Sequence, residues 1–524
     1  MSLCNISLDI LLLIIDNVDT HSPTLACLCA CNKQLRHLVT PRLYSHVHLG
    51  FERVNRDLNG ISNSSHQIRH LTLTVLRNPR LARQIHTLDL TDLFWEENSC
   101  CTYHTTPEED TTVPGNEDEE VTLVAATRHF DLLDDLRDRW ESALRRRPQN
   151  SDAVLAVMLA SLPNLNRLEI KVGWSKQKFL VQHVFELAGQ QPNPPILRQL
   201  AELKYTCEHD KYLTNSGLLL PLLQIPSLTH LLCGNFGQMH PAFNDERYGG
   251  EGAVPPPSSS MRHLEIRGGH IDANGFTRII AHSGTRLRTF IYHREIHFEP
   301  EPLPASSLLA ALRPVQGTLE NVYLSWESGG CIDDVEEQIN PLNFASFSTL
   351  KNLHISADYI VKDPERSDSY DDFDREACVT WANMPLSKRL PSSIQTIRIK
   401  NPSSEDQVRA IVDSLCEIIS LRANEFPNLR EVTVEGPFNR DSTKFGIGAL
   451  QKDASAAGVR LRKLDTIGGQ PQTMWHSGNW PSPDVATVTY PEDHIKKTDE
   501  HWGMPEARIT WCRGCADMDT LMEL

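Results

Sequence analysis

The chain has 524 residues, and its 68 Asp and Glu outweigh 51 Lys and Arg to give a formal net charge of −17. That length suits either several ordinary domains or one long repeat array. The acidic balance argues against a nucleic-acid-binding surface as the main function, and no run approaches the ~18 apolar residues of a membrane span. The first predicted element is a helix in which Leu8, Leu11, Leu12 and Ile15 fall at i, i+3, i+4 and i+7. Ser7 is placed to cap it, and Asp9 complements the positive end of its dipole. Ser22-Pro23 marks the start of a second helix through Leu25 and Leu28, and a third covers Leu35 to Val39, with Pro41 expected to stop it. Three such short helices cannot bury much of their own apolar surface, which implies an outside partner. Ile10 to Ile15 is too short for a secretory core and is flanked by Asp9 and Asp16. Thirteen cysteines without framework spacing suit a reducing compartment, so an intracellular place, cytoplasmic or nuclear, is expected.

This opening resembles the F-box, the module that docks on the Skp-type adaptor of cullin-based ubiquitin ligases. Ile6-Ser7-Leu8-Asp9-Ile10-Leu11 is similar to the family's opening Leu-Pro-x-Glu-hydrophobic-Leu. Leu25-Ala26 with Cys31-Asn32-Lys33 follows its middle stretch, and Pro41 to Val47 matches the closing Pro-x-Leu-Tyr-x-x-Val of fungal members. Ser7 stands where the family has proline, and Leu35 where tryptophan is common. The resemblance covers about a tenth of the chain. It implies adaptor contacts through Ile6, Leu8, Ile10, Leu11, Ile14, Leu25, Leu28 and Leu35, and through that adaptor a cullin.

Behind it the template hydrophobic-x-x-hydrophobic-x-hydrophobic recurs. It starts at Ile68/Leu71/Leu73, Ile85/Leu88/Leu90 and Leu165/Leu168/Ile170 and runs down to Leu461/Leu464/Thr466, twelve copies in all. The last two positions alternate as a half-buried strand should. Helical stretches such as Val154 to Leu162, Phe276 to His282 and Val408 to Leu421 precede many copies. This strand-and-helix unit resembles a degenerate leucine-rich repeat, which must stack to share one core. The family's asparagine after the last leucine is absent, so its backbone ladder is expected to be missing. The fold class is therefore α/β: a three-helix F-box at 1–49, then an irregular solenoid at 50–470 with a curved parallel sheet inside and helices outside. Residues 471–524 form a C-terminal cap or tail. Insertions are expected at 96–120, 234–260 and 358–388, the first acidic and too poor in apolar residues to order itself.

No phosphate loop, His-Glu-x-x-His or Gly-x-Ser-x-Gly motif is present. Cys512-x-x-Cys515 is a lone pair where a structural zinc site needs four ligands. His263, Glu265 and Arg267 read as the ordinary outward face of a strand. No cofactor, metal or catalysis is expected. The outward strand positions read Glu169, Lys204, Leu232, Glu265, Ile291, Tyr323, His354, Arg398 and Thr433. They turn apolar in the middle, so a protein substrate is expected at Leu232, Ile291 and Tyr323, with His354 and Arg398 at the margin. The function implied is substrate recognition in a Skp–cullin–F-box ligase. The rival readings are a repeat scaffold whose N-terminal hairpin caps its own solenoid, and an F-box protein that directs no degradation.

Overall fold

The computed structural model describes residues 7–18, 23–49, 63–91, 117–130, 132, 134–145, 151–172, 180–189, 196–207, 214–215, 219–234, 236–237, 260–267, 271, 273–295, 305–327, 342–361, 384–400, 402, 405–436 and 446–465. The chain divides into two compact units, Met1–Leu43 with Asp465–Leu524, and Tyr44–Leu464. The first boundary falls short of residue 49, because His46–His48 form a strand of the second unit.

In the first unit, α1 (Leu8–Asn17), α2 (Pro23–Cys31) and α3 (from Lys33 to Ser45, crossing the division) make the helical hairpin. Ser7 has the extended backbone of an N-cap but makes no side-chain capping bond. Ile15, Leu25 and Val39 form the core, with Val18, Leu28, Leu38 and Leu43 packed against it. Pro41 does not end the third helix but lies inside it. One backbone bond is lost there. The lost bond is the one to the His37 carbonyl, and the helix runs on to Ser45 without it; beside the proline the Thr40 hydroxyl donates to the Arg36 carbonyl at 2.7 Å.

The second unit is built on a twelve-stranded, all-parallel sheet with alternating helices, solenoid-like and consistent with a leucine-rich-repeat-like α/β array. Its strands are β1 (His46–His48), β2 (Thr87–Leu90), β3 (Arg167–Val172), β4 (Glu202–Cys207), β6 (His230–Gly234), β8 (His263–Arg267) and β9 (Thr289–Glu295). The order continues through β10 (Asn321–Glu327), β11 (Asn352–Ser356), β12 (Thr396–Lys400), β13 (Glu431–Gly436) and β14 (Arg460–Asp465). The short strands β5 (Thr214–Asn215) and β7 (Phe236–Gly237) pair separately. The inward template positions align across the sheet: Leu88, Leu168, Leu203, Leu231, Leu264, Phe290, Val322, Leu353, Ile397 and Val432 are register partners in turn, and all are fully buried. Helices pack on this face; the Phe276 ring meets Phe290 at 5.6 Å and Tyr292 at 5.4 Å, edge to face.

The first template copy is a helix instead of a strand. Ile68, Leu71, Thr72 and Val75 are buried along one face of α4 (Asn63–Arg77), since i, i+3, i+4 and i+7 satisfy a helical period that a six-residue template does not test. The acidic insertion ends earlier than residue 120. Glu117 to Glu120 open the Glu117–Thr127 helix, where four carboxylates favour the N-terminal dipole and Glu119 pairs with Arg69 at 2.7 Å. Residues 96–116, with their expected disorder, lie outside the described residues. Gly234 belongs to β6, and Tyr359, Ile360, Leu386 and Ser387 are buried, so the second and third insertions are also shorter than expected. Residues 238–259 and 362–383 lie outside the description, as do 466–524 with Cys512 and Cys515. Among the described residues, no helix is long and apolar enough to cross a membrane.

Two other ladders do the work of the missing asparagine. From His86 to Gln395, the carbonyl just before each strand accepts two backbone N–H groups of the next unit, as Lys351 does from Gln395 at 2.7 Å and Thr396 at 3.0 Å. A side-chain ladder runs beside it, from the residue just before the first template position. Ser227, Thr318, Thr349 and Ser393 donate their hydroxyls to the carbonyls of Leu200, Leu287, Leu319 and Leu350, at 2.7 to 2.9 Å. Asn164 and Asn428 reach two residues further back, to the carbonyls of Arg83 and Ser392. Thr349→Val keeps the shape and removes the donor. It is expected to cost about 1 kcal/mol, read from denaturant midpoints; a neutral result would show that the backbone ladder suffices.

Candidate functional site

Two surfaces stand out: the apolar helix α1 and the sheet face turned away from the helices. On α1, only Leu11 and Ile15 turn inward, each 3% exposed. Leu8, Ile10, Leu12, Leu13 and Ile14 are exposed, by 39–62%. Of the apolar stripe Leu8, Leu11, Leu12 and Ile15, the first and third therefore stay exposed, in line with a hairpin too small to bury its own apolar surface. At 100° per residue these five side chains surround most of the helix, and a helix apolar on nearly every side is ordinarily buried. Of the residues expected to touch the adaptor, Leu8, Ile10 and Ile14 are open to a partner. Leu11, Leu25 and Leu35 are buried, Leu25 in the hairpin core, and Leu28 is half-buried against that core. Ile6 lies outside the described residues. Cys27 and Cys31 share a face of α2, but that face is exposed, so they are not core residues.

The open sheet face carries a middle row whose register runs His48, Asp89, Glu169, Lys204, Leu232, Glu265, Ile291, Tyr323, His354, Arg398 and Thr433. Charged pairs occupy its N-terminal third. His48 Nδ1 lies 2.8 Å from Asp89, and Glu169 bridges Arg167 at 2.7 Å and Lys204 at 3.2 Å. Burial by itself would push Asp89 up, but the His48 bond and charge, with two bonds from Thr91, hold its carboxyl at about 2.

The middle of the row differs from expectation. Leu232 and Ile291 do point away from the helices, yet they are 3% and 5% exposed, and Glu265, His293 and Ser325 beside them are also buried. An apolar side chain on this face is not an exposed patch when its neighbours are equally closed to solvent. His263, Glu265 and Arg267 are likewise no ordinary solvated face. The fully buried Glu265 carboxylate lies 3.5 Å from His263 Nε2 and in direct contact with Arg267. Burial would raise its pKa, but the bond from His263 and the charge of Arg267 bring it below its usual value. His230 stacks on His263 at 5.6 Å, and burial, then the nearby His263 and Arg262, lower it to about 4.

Tyr323, His354 and Arg398 remain half-buried at the C-terminal part of the row. Tyr323 meets His354 edge-on at 4.3 Å. Burial, then the charges of Arg398 and Lys400, lower His354 to about 3. Beside this row, an amide ladder escaped the sequence reading. Asn321 donates to Thr289 Oγ1 at 2.9 Å, and Asn352 donates to Asn321 Oδ1 at 2.6 Å. Its signal is visible in the template: Thr289, Asn321 and Asn352 occupy the same position in consecutive copies.

His230 and His354 give a pH dependence with a definite sign. Both bind protons less readily when folded, so the unfolded chain takes up protons first as pH falls. Their neutral-state contribution is complete above the unfolded value near 6.5 and is lost as pH falls towards about 4 for His230 and about 3 for His354. Denaturant midpoints should therefore drop between neutral pH and pH ~5, and His354→Gln should flatten that slope. An unchanged slope would show that His354 titrates normally.

Among the described residues there is no group of three or more His, Cys, Asp or Glu that could hold a metal ion. The chain matches no protein-family model, and no curated protein matches it.

Proposed function

We propose that the chain is a non-catalytic substrate receptor of a Skp–cullin–F-box ubiquitin ligase, with its N-terminal hairpin on the Skp-type adaptor and its open sheet face on the protein to be ubiquitinated. One observation carries the reading. Of the large apolar residues left exposed among those described, all but Val121 and Met384 lie on α1. That helix coincides with the segment whose sequence resembles the F-box opening, and a concentrated apolar surface of this kind is the usual mark of a protein interface. Such a receptor raises the effective concentration of its target near the transfer machinery, so the chemistry stays with other subunits. An intracellular place, cytoplasmic or nuclear, follows from this role.

The direct test is co-purification of the full chain with a recombinant Skp-type adaptor, then assembly with a cullin. A stoichiometric complex is expected. A well-folded chain that leaves the adaptor in the flow-through would favour the plain repeat scaffold.

A further inference from the structure

Helix α2 carries Cys27, Cys29 and Cys31 and no charged side chain. Cys27 and Cys31 stand four residues apart, so they lie one above the other on the same side of the helix. Both are free and exposed. The Cys31 thiol donates to the Cys27 carbonyl at 3.2 Å, which holds its sulfur back over the turn that carries Cys27. Cys29 is turned elsewhere. It is half-buried against the hairpin core, with its Sγ 3.9 Å from Thr40 Oγ1. A cysteine serving only as a small core hydrophobe is closed to solvent, and Cys27 and Cys31 are not.

Several thiol chemistries are closed to this pair. A disulfide needs Cβ atoms about 3.5–4.5 Å apart, whereas i and i+4 positions of a helix hold them about 5–6 Å apart. The two thiols therefore cannot join while α2 stays helical. A structural zinc ion or an iron–sulfur cluster needs four converging ligands, and among the described residues no group of three or more His, Cys, Asp or Glu could hold a metal ion. Hard cations take oxygen ligands, and α2 supplies no carboxylate.

A soft ion satisfied by two sulfurs does fit. Two metal–thiolate bonds of about 2.3 Å each span at most about 4.6 Å. Sulfurs borne on Cβ atoms about 5–6 Å apart can lean together over that distance without moving the backbone. Of the metals that thiolates favour, Cu(I), zinc and iron–sulfur clusters, only Cu(I) is content with so few ligands. We propose that Cys27 and Cys31 form a two-thiolate site for monovalent copper on the exposed face of α2. Each thiol releases its proton and each sulfur gives a lone pair to the metal. One Cu(I) and two R–SH thus become one Cu(SR)2 monoanion and two protons, with no change of oxidation state. Cys31 gives up its bond to the Cys27 carbonyl in doing so, and an S–H group is a weak donor.

The test titrates Cu(I) into the reduced, full-length chain without oxygen, against a chromogenic Cu(I) chelator, and counts the equivalents that the protein withdraws. Other cysteines add to that count, so the reading is the difference between parent and variants. Cys27→Ser and Cys31→Ser should each lose one equivalent. The double variant should lose that same one equivalent and no more, because removing either sulfur removes the chelate. Cys29→Ser should lose none. Denaturant midpoints serve as the folding control, and the two exposed positions should match the parent.

An unchanged count in both single variants would overturn the site. A loss in only one of them would mean a single thiol ligand, and a loss in Cys29→Ser a three-thiol site; either overturns the two-thiolate assignment. A second measurement needs no variant. Saturating Cu(I) should shield Cys27 and Cys31 together from iodoacetamide, read by mass spectrometry of the peptide that carries both. Alkylation of either cysteine at its copper-free rate would overturn the proposal.

Discussion

A full-length chain carrying Ile10→Glu and Ile14→Glu is expected to lose the Skp-type adaptor while unfolding at the same denaturant concentration as the parent. The two residues stand one turn apart on the same side of α1 and are 51% and 43% exposed, so neither supports the hairpin core. Surface changes of this kind usually alter stability by no more than about 0.5 kcal/mol. In a complex the outcome is different. Each isoleucine buried against a partner contributes about 1.5–3 kcal/mol, and a carboxylate in its place adds a desolvation cost. The pair should therefore weaken binding by at least about 3 kcal/mol, more than a hundredfold. Leu11→Glu is the contrasting variant. Leu11 is 3% exposed, so a carboxylate in its place should destabilise the fold and lower the denaturant midpoint, which the double substitution should not do. Adaptor recovery that survives the double substitution would remove the central support of the proposed function.

The second large effect concerns the carboxylate sealed in the sheet. Arg267→Met is expected to destabilise the repeat unit by about 3 kcal/mol or more, because it leaves the fully buried Glu265 with only His263 beside it. Glu265→Gln combined with Arg267→Met should cost less than the arginine change alone, since no unpaired charge is then left behind. The pH sign follows from the depressed Glu265 pKa. Its ionised-state contribution is present above the unfolded carboxylate value and is lost as pH falls through the folded one. In Arg267→Met the carboxyl should instead take up a proton more readily than in the parent. Equal denaturant midpoints for Arg267→Met and the parent would show that solvent reaches Glu265 after all.

The contrast between these two sites explains which parts of the molecule could be read early. Alternation along a strand is a local property, and the template placed Leu168/Ile170 through Val432/Val434 on the buried face with the register that the sheet adopts. Ile68/Leu71/Leu73 misled because a spacing of three belongs equally to a helix. Only the continued period through Thr72 and Val75 separates the two. Glu117 to Glu120 misled because an acidic cluster has the same composition in a solvated loop and at a helix N-terminus. The hydroxyl ladder was missed for another reason. A Ser or Thr before a leucine is unremarkable until the preceding unit brings a carbonyl within 3 Å of it, as Leu319 does for Thr349.

The sequence alone determined that the chain builds an α/β repeat, which residues line its core, and which strand positions face away from the helices. Each of these depends on neighbours a few residues apart. Tertiary structure decided what those outward positions experience. Leu232, Glu265 and Ile291 share one row with Tyr323, His354 and Arg398, yet the first three are closed to solvent and the last three are half-open. The same holds on α1, where Leu11 and Ile14 look alike in sequence, but Leu11 is 3% exposed and Ile14 43%. Burial is set by what folds against a face from far along the chain, and periodicity carries no record of it.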